Sequence, residues 1–343
     1  MEKYEENQSI NWYPGHMFKT KNEIKSTLNM VDLILEIIDA RIPKSSSNND
    51  LNEIIKNKEK IIILNKSDLA DENQNKRWIK YFKEKENVLA ISVNSLENKD
   101  IENIKKEIMN LETVKDKINS QKEKGISNPS INIMIVGIPN VGKSTILNKM
   151  IKKNSQSVKN KPGETKKNQW FRTSDNINIL DTPGLLWPKL EGNSGMFLAS
   201  VGSVKKELVD KVEVACFIIK KIIEKNYSKY LEERYNLKEQ NGDNLKLAIK
   251  TDNEIKKVKQ EKNQSNEKGK TDQEHIYKLE DLYFMYNVNV YNVFNDIGKK
   301  RGFLRKGNSV DEEKTADVII NEFQKGTIGR ITLEHLDCED KNF

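Results

Sequence analysis

The segment Gly137-Ile138-Pro139-Asn140-Val141-Gly142-Lys143-Ser144-Thr145 has the residue types and spacing of a phosphate cradle. Two glycines let backbone approach a ligand closely. Successive N–H groups at the start of a helix can then surround a phosphate chain. Lys143 supplies a compact positive charge for β- and γ-phosphates, and the Ser144 hydroxyl can ligate Mg²⁺. Asn140, Val141, Gly142, Lys143, Ser144 and Thr145 are therefore candidate nucleotide contacts. A glycine-containing turn with no ligand is the competing reading. The apolar run over 131–136 before the segment and the helical pattern over 146–150 after it favour a nucleotide phosphate site.

A second segment can read a base. Asn65-Lys66-Ser67-Asp68 follows the strand-like run 61–64. The Asp68 carboxylate can accept from both the N1–H and the exocyclic 2-amino group of guanine. Adenine offers no such donor pair, so an adenine nucleotide would leave buried acceptors unsatisfied. Asn65 would bridge the base and the loops, and the Lys66 stem would lie along the ring face. Taken alone, this pattern also describes a solvated turn. Ser92-Val93-Asn94-Ser95, after the strand-like 88–91, could bring backbone N–H groups at Asn94 and Ser95 to the guanine carbonyl. By itself it is an ordinary polar strand end.

Downstream, Asn178-Ile179-Leu180-Asp181-Thr182-Pro183-Gly184 reads as a strand ending in a carboxylate and then glycine. Asp181 can hold Mg²⁺ through a water, and the Gly184 N–H can sense a γ-phosphate. Thr165, in Lys161-Pro162-Gly163-Glu164-Thr165, offers a second hydroxyl for the metal or is a plain loop threonine. Many GTPases place a water-orienting glutamine directly after D-x-x-G. Here Leu185 and Leu186 follow, and neither can hold a water. Slow intrinsic hydrolysis is expected, with the missing group supplied by another part of the chain, a cation or a partner. His16 is one candidate, because histidine titrates near neutrality and could orient or deprotonate the water. Otherwise it satisfies the Pro14-Gly15 turn or touches RNA.

The motifs run in the order base reader, second base loop, phosphate loop, threonine and D-T-P-G. That is a cyclic shift of the usual order. Strand-like runs at 33–38, 60–64, 88–91, 131–136, 168–173 and 177–180 alternate mostly with helical stretches. This predicts an α/β fold with a mainly parallel sheet, helices on both faces and ligands at the carboxyl ends of the strands. Every motif above falls at such an end, so the assignments agree with one another.

The chain has 343 residues, enough for two domains, and a net charge of +7, which favours a polyanionic partner. Its two cysteines, Cys216 and Cys338, form no disulfide framework or metal spacing, so inert thiols are expected. The first residues lack a basic segment followed by an apolar core, and no apolar stretch reaches membrane-spanning length. A cytoplasmic protein is expected.

Residues 1–30 read as a leader in which Met17, Ile24, Leu28 and Val31 share a helical face, and 31–190 as the nucleotide domain. Residues 195–343 read as a smaller, mostly helical domain with Val214, Phe217, Ile218 and Ile222 at core spacing. A late helix has Ser309 and Glu312 as a capping-box pair, Ala316, Ile319, Ile320 and Phe323 on one face, and Gly326 as its stop. The polar stretch around 238–280 is rich in Lys, Asn, Gln and Glu. It reads as an exposed insertion, mobile or a loose helical arm.

Taken with Trp12-Tyr13-Pro14-Gly15-His16-Met17, Asp39-Ala40-Arg41-Ile42-Pro43, Gln169-Trp170, 181–187 and Gly298-Lys299-Lys300-Arg301-Gly302, these motifs resemble the circularly permuted ribosome biogenesis GTPase A family, the RbgA/YlqF type. The likeness covers nearly the whole chain apart from 238–280. It implies a circularly permuted P-loop GTPase domain followed by a helical RNA-binding domain. It implies GTP and GDP as ligands with Mg²⁺ on Ser144, Thr165 and Asp181, and catalytic roles for His16, Lys143 and Gly184.

Asn140 resembles the asparagine that helps coordinate potassium in GTPases lacking the glutamine. Its alternative is to shape the loop. The expected activity is hydrolysis of GTP to GDP and phosphate, slow alone and activated by ribosomal particles. The expected role is to bind a precursor of the large (50S) ribosomal subunit, promote a late maturation step and leave after hydrolysis. A monomer is expected, with neither DNA nor a membrane as partner. Lys205, Lys206, Lys299, Lys300, Arg301, Arg305, Lys306, Lys325 and Arg330 could contact rRNA phosphates or form a solvated face. Gly298–Gly302 and Gly329-Arg330 are the preferred RNA contacts among these, because glycine lets backbone approach backbone. A non-catalytic, GTP-liganded rRNA-binding scaffold is the alternative function. A GTPase acting on tRNA or membrane insertion is a weaker rival, for want of a second catalytic constellation or an apolar anchor.

Overall fold

The computed structural model describes residues 24–47, 54–55, 58–151, 169–182, 193–237, 243–266 and 273–336. Six strands form the sheet: β1 (Leu33–Asp39), β2 (Glu59–Asn65), β3 (Leu89–Val93), β4 (Ile131–Val136), β5 (Gln169–Arg172) and β6 (Ile177–Asp181). Their order is β3-β2-β1-β4-β6-β5, and every pairing is parallel except that of β5 with β6. All seven residues of β1 are buried. A central parallel strand is covered on both faces, which explains why its apolar run is continuous instead of alternating.

The register brings the motifs to one edge. Asp39 sits opposite Asn65, and Asn65 opposite Val93. Glu36 pairs with Val136, and Ile135 with Asp181. The carboxyl ends of β1, β2, β3, β4 and β6 are therefore neighbours, and the strand order reverses direction between β1 and β4. In open α/β sheets ligands bind at such a switch point.

The described helices of this unit include α1 (Pro43–Ser46), α2 (Glu72–Lys85), α3 (Asn98–Asn110), α4 (Glu112–Glu123), α5 (Lys143–Met150) and α6 (Ser194–Ser200). Asp71 caps α2 by accepting from the Gln74 N–H at 3.0 Å, and Trp78 and Phe82 bury its inner face against Ile38, Ile62 and Leu64. On another side, Ile24 and Val31 pack with Ile34, Met134 and Leu180, with Leu28 partly buried beside them. Met17, the fourth residue of that face, lies outside the described residues.

The chain divides into two compact units, and the division differs from the sequence reading. One unit holds the sheet, the chain through Val204 and the chain again from Glu334; the other is Lys205–Leu333. The boundary is thus later than 190–195, because Gly202 and Ser203, which follow α6, are hydrogen-bonded to the phosphate loop. The C-terminal segment also belongs with the sheet, because Glu334 and Leu336 are held there.

The second unit is helical: α7 (Lys211–Glu224), α8 (Ser228–Tyr235), α9 (Asp243–Asn266), α10 (Gln273–Lys300) and α11 (Glu312–Gln324). Val214, Phe217, Ile218 and Ile222 of α7 are buried with Phe294 and Ile297 of α10 and Ile319 and Phe323 of α11. The reading of 238–280 as an exposed insertion, mobile or a loose helical arm, is corrected over 243–258, which is helical but packed. Leu245, Ala248, Ile255 and Val258 of α9 are buried, at heptad-like spacing. A seam this sparse suffices because α9 packs along α10 over a long interface.

The cap of α11 is also corrected. Asp311, not Ser309, accepts from the Lys314 N–H at 3.2 Å, and Gly326 follows the helix at φ +70°. Burial pushes the Cys216 thiol up to about 12, as the inert reading of that cysteine expects.

Candidate nucleotide site

The base reader and the phosphate loop are joined by the side chains of Asn65 and Lys66. Asn65, fully buried at the end of β2, donates from Nδ2 to the Val141 carbonyl at 2.6 Å. Its Oδ1 accepts from the Ser95 N–H at 3.1 Å. One amide thus joins three loops. The phosphate loop must be glycine where they touch: Gly142 has φ +100°, and an added Cβ would lie 2.2 Å from Asn65 Nδ2. At Gly137, φ +150°, a Cβ would meet the Ile37 carbonyl oxygen at 2.3 Å.

Lys66 adopts the left-handed conformation at φ +60°, an uncommon one for a lysine. Its ammonium donates to the Asn140 carbonyl at 2.7 Å and to Asp39 Oδ2 at 3.0 Å. Asp68 follows in a short 3₁₀ turn, Ser67–Leu69, and is exposed. Its carboxylate can therefore meet a base arriving from solvent.

Asp39 and Arg41 form a buried pair that the motif reading quoted without a role. Arg41 Nε donates to Asp39 Oδ1 at 2.8 Å, and Nη2 to Oδ2 at 2.7 Å. Burial by itself would raise the Asp39 pKa. The Arg41 and Lys66 cations outweigh it and hold the carboxyl well below the usual carboxylate range.

In the phosphate loop the Lys143 ammonium donates to the Gly137 and Ile138 carbonyls at 3.0 and 2.8 Å. Burial lowers its pKa to about 8, partly opposed by Asp181. A desolvated ammonium whose hydrogen bonds among the described residues go to carbonyls, with an acidic strand end nearby, is suited to receive an anion. Ser144 is exposed on the first turn of α5, and Asp181 is buried at the end of β6. A hydroxyl and a carboxylate are hard oxygen donors, as Mg²⁺ prefers. Next to Asp181, Thr182 is fixed by donating to the Ile135 carbonyl at 2.8 Å.

Two expectations are modified. The Asn94 N–H donates to Asp100 Oδ2 at 2.7 Å, and the Leu96 N–H to Asn94 Oδ1 at 3.0 Å. Together with the Ser95 N–H on Asn65, these amides are used to build the loop. A guanine carbonyl contact at Asn94 or Ser95 would have to replace one of those bonds. Asn140, at φ +61°, donates from Nδ2 to the Gly202 carbonyl at 2.6 Å, and Ser203 Oγ donates to the Pro139 carbonyl at 2.9 Å. The loop-shaping reading of Asn140 is the one these bonds support. His16, Thr165 and Gly184 lie outside the described residues.

The C-terminal segment supplies a second fixture that the motifs did not signal. Glu334 accepts through Oε2 from the Ser45 N–H at 2.9 Å, and its Oε1 is hydrogen-bonded to the Ser45 hydroxyl. Its carbonyl accepts from Trp78 Nε1 at 3.0 Å. Burial raises the Glu334 pKa.

Of the glycines preferred for RNA, Gly298 and Gly329 are packed against side chains, whereas a Cβ at Gly302 would meet nothing within 4 Å. A Cβ at Gly298 would lie 2.4 Å from Val310 and 2.7 Å from Thr315, and one at Gly329 would lie 2.7 Å from the Tyr230 ring. Arg301 donates to Glu322 at 3.0 Å and Arg305 to Asp311 at 3.1 Å.

A mainly parallel sheet whose carboxyl edge carries a phosphate loop, with the base reader placed upstream of it, defines a circularly permuted P-loop GTPase domain. The family model described as "50S ribosome-binding GTPase" matches residues 132–251, starting in β4 and leaving Asn65–Asp68 outside the match. Ribosome biogenesis GTPase A of Bacillus cereus is 35% identical over 326 residues, covering 95% of this chain and 93% of the relative. Its namesake in Bacillus licheniformis is 33% identical over 326 residues, covering 95% and 98%. The crystal structure of GNP-bound YlqF from T. maritima aligns with a TM-score of 0.51 at 25% identity, covering 92% of this chain and 98% of that one. The chain belongs to the ribosome biogenesis GTPase A family.

Proposed function

We propose that this protein hydrolyses GTP while bound to a precursor of the large (50S) ribosomal subunit, promotes a late maturation step there, and leaves once GDP has formed. The observation that supports the nucleotide half is the Asn65 bridge, which bonds to the Val141 carbonyl of the phosphate loop and to the Ser95 N–H. The ribosomal half draws on the relatives' names and the description of the matching family model.

In this reading Asp68 selects guanine, the backbone of 137–145 and Lys143 hold the phosphates, and Gly184 senses the γ-phosphate. Ser144, Thr165 and Asp181 would hold Mg²⁺, whose chemistry is to neutralise charge developing on the β- and γ-oxygens. With Leu185 in the water-orienting position, turnover of the isolated chain is slow. The missing group then comes from His16 or from the ribosomal particle, with potassium as a further ion near Asn140. The helical unit presents part of its lysine and arginine set to rRNA phosphates. We place the protein in the cytoplasm as a monomer; among the described residues no helix is long and apolar enough to cross a membrane.

The test is GTP turnover by the full chain with and without large-subunit precursor particles, in potassium and in sodium. Particles should raise the rate at least about tenfold, a loss of about 1.4 kcal/mol from the barrier. A rate unchanged by particles contradicts the proposal and returns the chain to a GTP-liganded scaffold.

A further inference from the structure

We propose that Asp39 is a positioning residue of the guanine site, acting through Lys66. The inference rests on the guanine reading of Asn65–Asp68. The Lys66 side chain reaches both β1 and the phosphate loop: its ammonium sits between Asp39 Oδ2 and the Asn140 carbonyl. The Lys66 backbone is in a conformation that lysine rarely adopts, so its stem direction needs an external hold.

Asp39 can provide that hold because it cannot itself turn. It is fully buried, and Arg41 grips both carboxylate oxygens through Nε and Nη2 and adds its own backbone N–H on Oδ1 at 3.1 Å. The Asp39 N–H is fixed on Ser46 Oγ at 3.0 Å. Of the atoms so fixed, Oδ2 points its negative charge at Lys66.

The charge count gives the direction of the effect. One carboxylate stands between two cations, Arg41 and Lys66. With Asp39 neutral, Lys66 loses its ion pair while the buried Arg41 guanidinium still repels its ammonium. Lys66 then leaves the phosphate loop, and its stem no longer covers the face of the base.

The experiment is displacement of a fluorescent GDP from the full-length chain by GDP and by inosine diphosphate, which lacks the 2-amino group. The variants are Asp39→Asn, Lys66→Met, the two combined, and Asp39→Asn with Arg41→Met. Asp39→Asn and Lys66→Met should each weaken GDP about tenfold, the scale of one charge-assisted contact. The combination should be no more than about twofold weaker than the worse single variant, since both act on one contact. Inosine diphosphate should weaken by the same factor as GDP, because Asp68 is untouched.

A residue with a merely structural role would give losses that multiply. Multiplying losses, or GDP affinity in Asp39→Asn within about twofold of the parent, would overturn the proposal. Should Asp39→Asn fail to fold, the Asp39→Asn, Arg41→Met chain removes both buried charges and tests the same loss. Parental affinity there, or failure of that chain to fold as well, assigns Asp39 to the fold alone. A parent chain that binds ADP as tightly as GDP refutes the guanine reading itself, a separate result.

Discussion

Asn65 and Val141 are 76 positions apart in the chain and 2.6 Å apart in space, side-chain amide to carbonyl. That bond brings the end of β2 against the phosphate loop despite the rotated motif order. Replacing Asn65 by alanine leaves the Val141 carbonyl and the Ser95 N–H without this partner. The expected cost is about 2 kcal/mol of stability, the scale of two buried polar groups left unmade. Chemical denaturation should show it as a lower midpoint at unchanged slope. A midpoint equal to the parent's would mean that the bridge holds nothing together.

Gly142→Ala tests the same junction from the other side. A Cβ there meets Asn65 Nδ2 at 2.2 Å, on a backbone at φ +100°. Strain of about 1–3 kcal/mol is expected, with GDP affinity reduced at least about tenfold. Calorimetric titration with GDP checks this, and parental affinity would show that the loop tolerates the side chain.

The pKa of Lys143 makes nucleotide binding depend on pH. Burial has lowered it to about 8, and a polyphosphate beside the ammonium must raise it again. Below pH 8 the free protein already carries the proton, so affinity is flat. Above that, binding must take up a proton, and affinity falls by up to about tenfold per pH unit until the bound-state pKa is reached. GDP dissociation constants measured from pH 7 to 10 should rise only in the upper part of that range. A flat profile would contradict the assignment of Lys143 to the phosphates.

Glu334 predicts a different pH effect, on stability. Its pKa is raised by burial above the carboxylate's ordinary 4.5. The stability this provides is present below 4.5 and is lost as pH rises through the higher folded value. Glu334→Gln keeps an acceptor for the Ser45 N–H while removing the titration. Its melting temperature should therefore fall less than the parent's as pH rises from 4 upward. Parallel curves would rule out the buried carboxyl as their source.

Much of the site was legible because its chemistry is local in sequence. The strand runs ending at residues 64, 91, 136 and 180 are apolar and abut their motifs, so pocket and sheet could be read together. What escaped was long-range or sparse. Nothing near Ser45 announces Glu334, which arrives from 289 positions away. The α9 seam rests on Leu245, Ala248, Ile255 and Val258 in a polar stretch whose average composition hides them. Ser309 and Asp311 are both good caps, and only the chain's path at Asp311 selects between them. Gly298 and Gly329 looked open to RNA because a sequence does not show which side chain lies against a glycine.

The central claim is that Asp68, at the end of a segment placed before the phosphate loop, reads guanine. The direct measurement is the affinity of the chain for GDP, ADP and xanthosine diphosphate, with and without Asp68→Asn. The account predicts GDP bound at least about a hundredfold tighter than ADP, and a switch toward the xanthine nucleotide in Asp68→Asn, since an amide can donate where the carboxylate accepted. Equal affinity for GDP and ADP, or no change in base preference in Asp68→Asn, would contradict it.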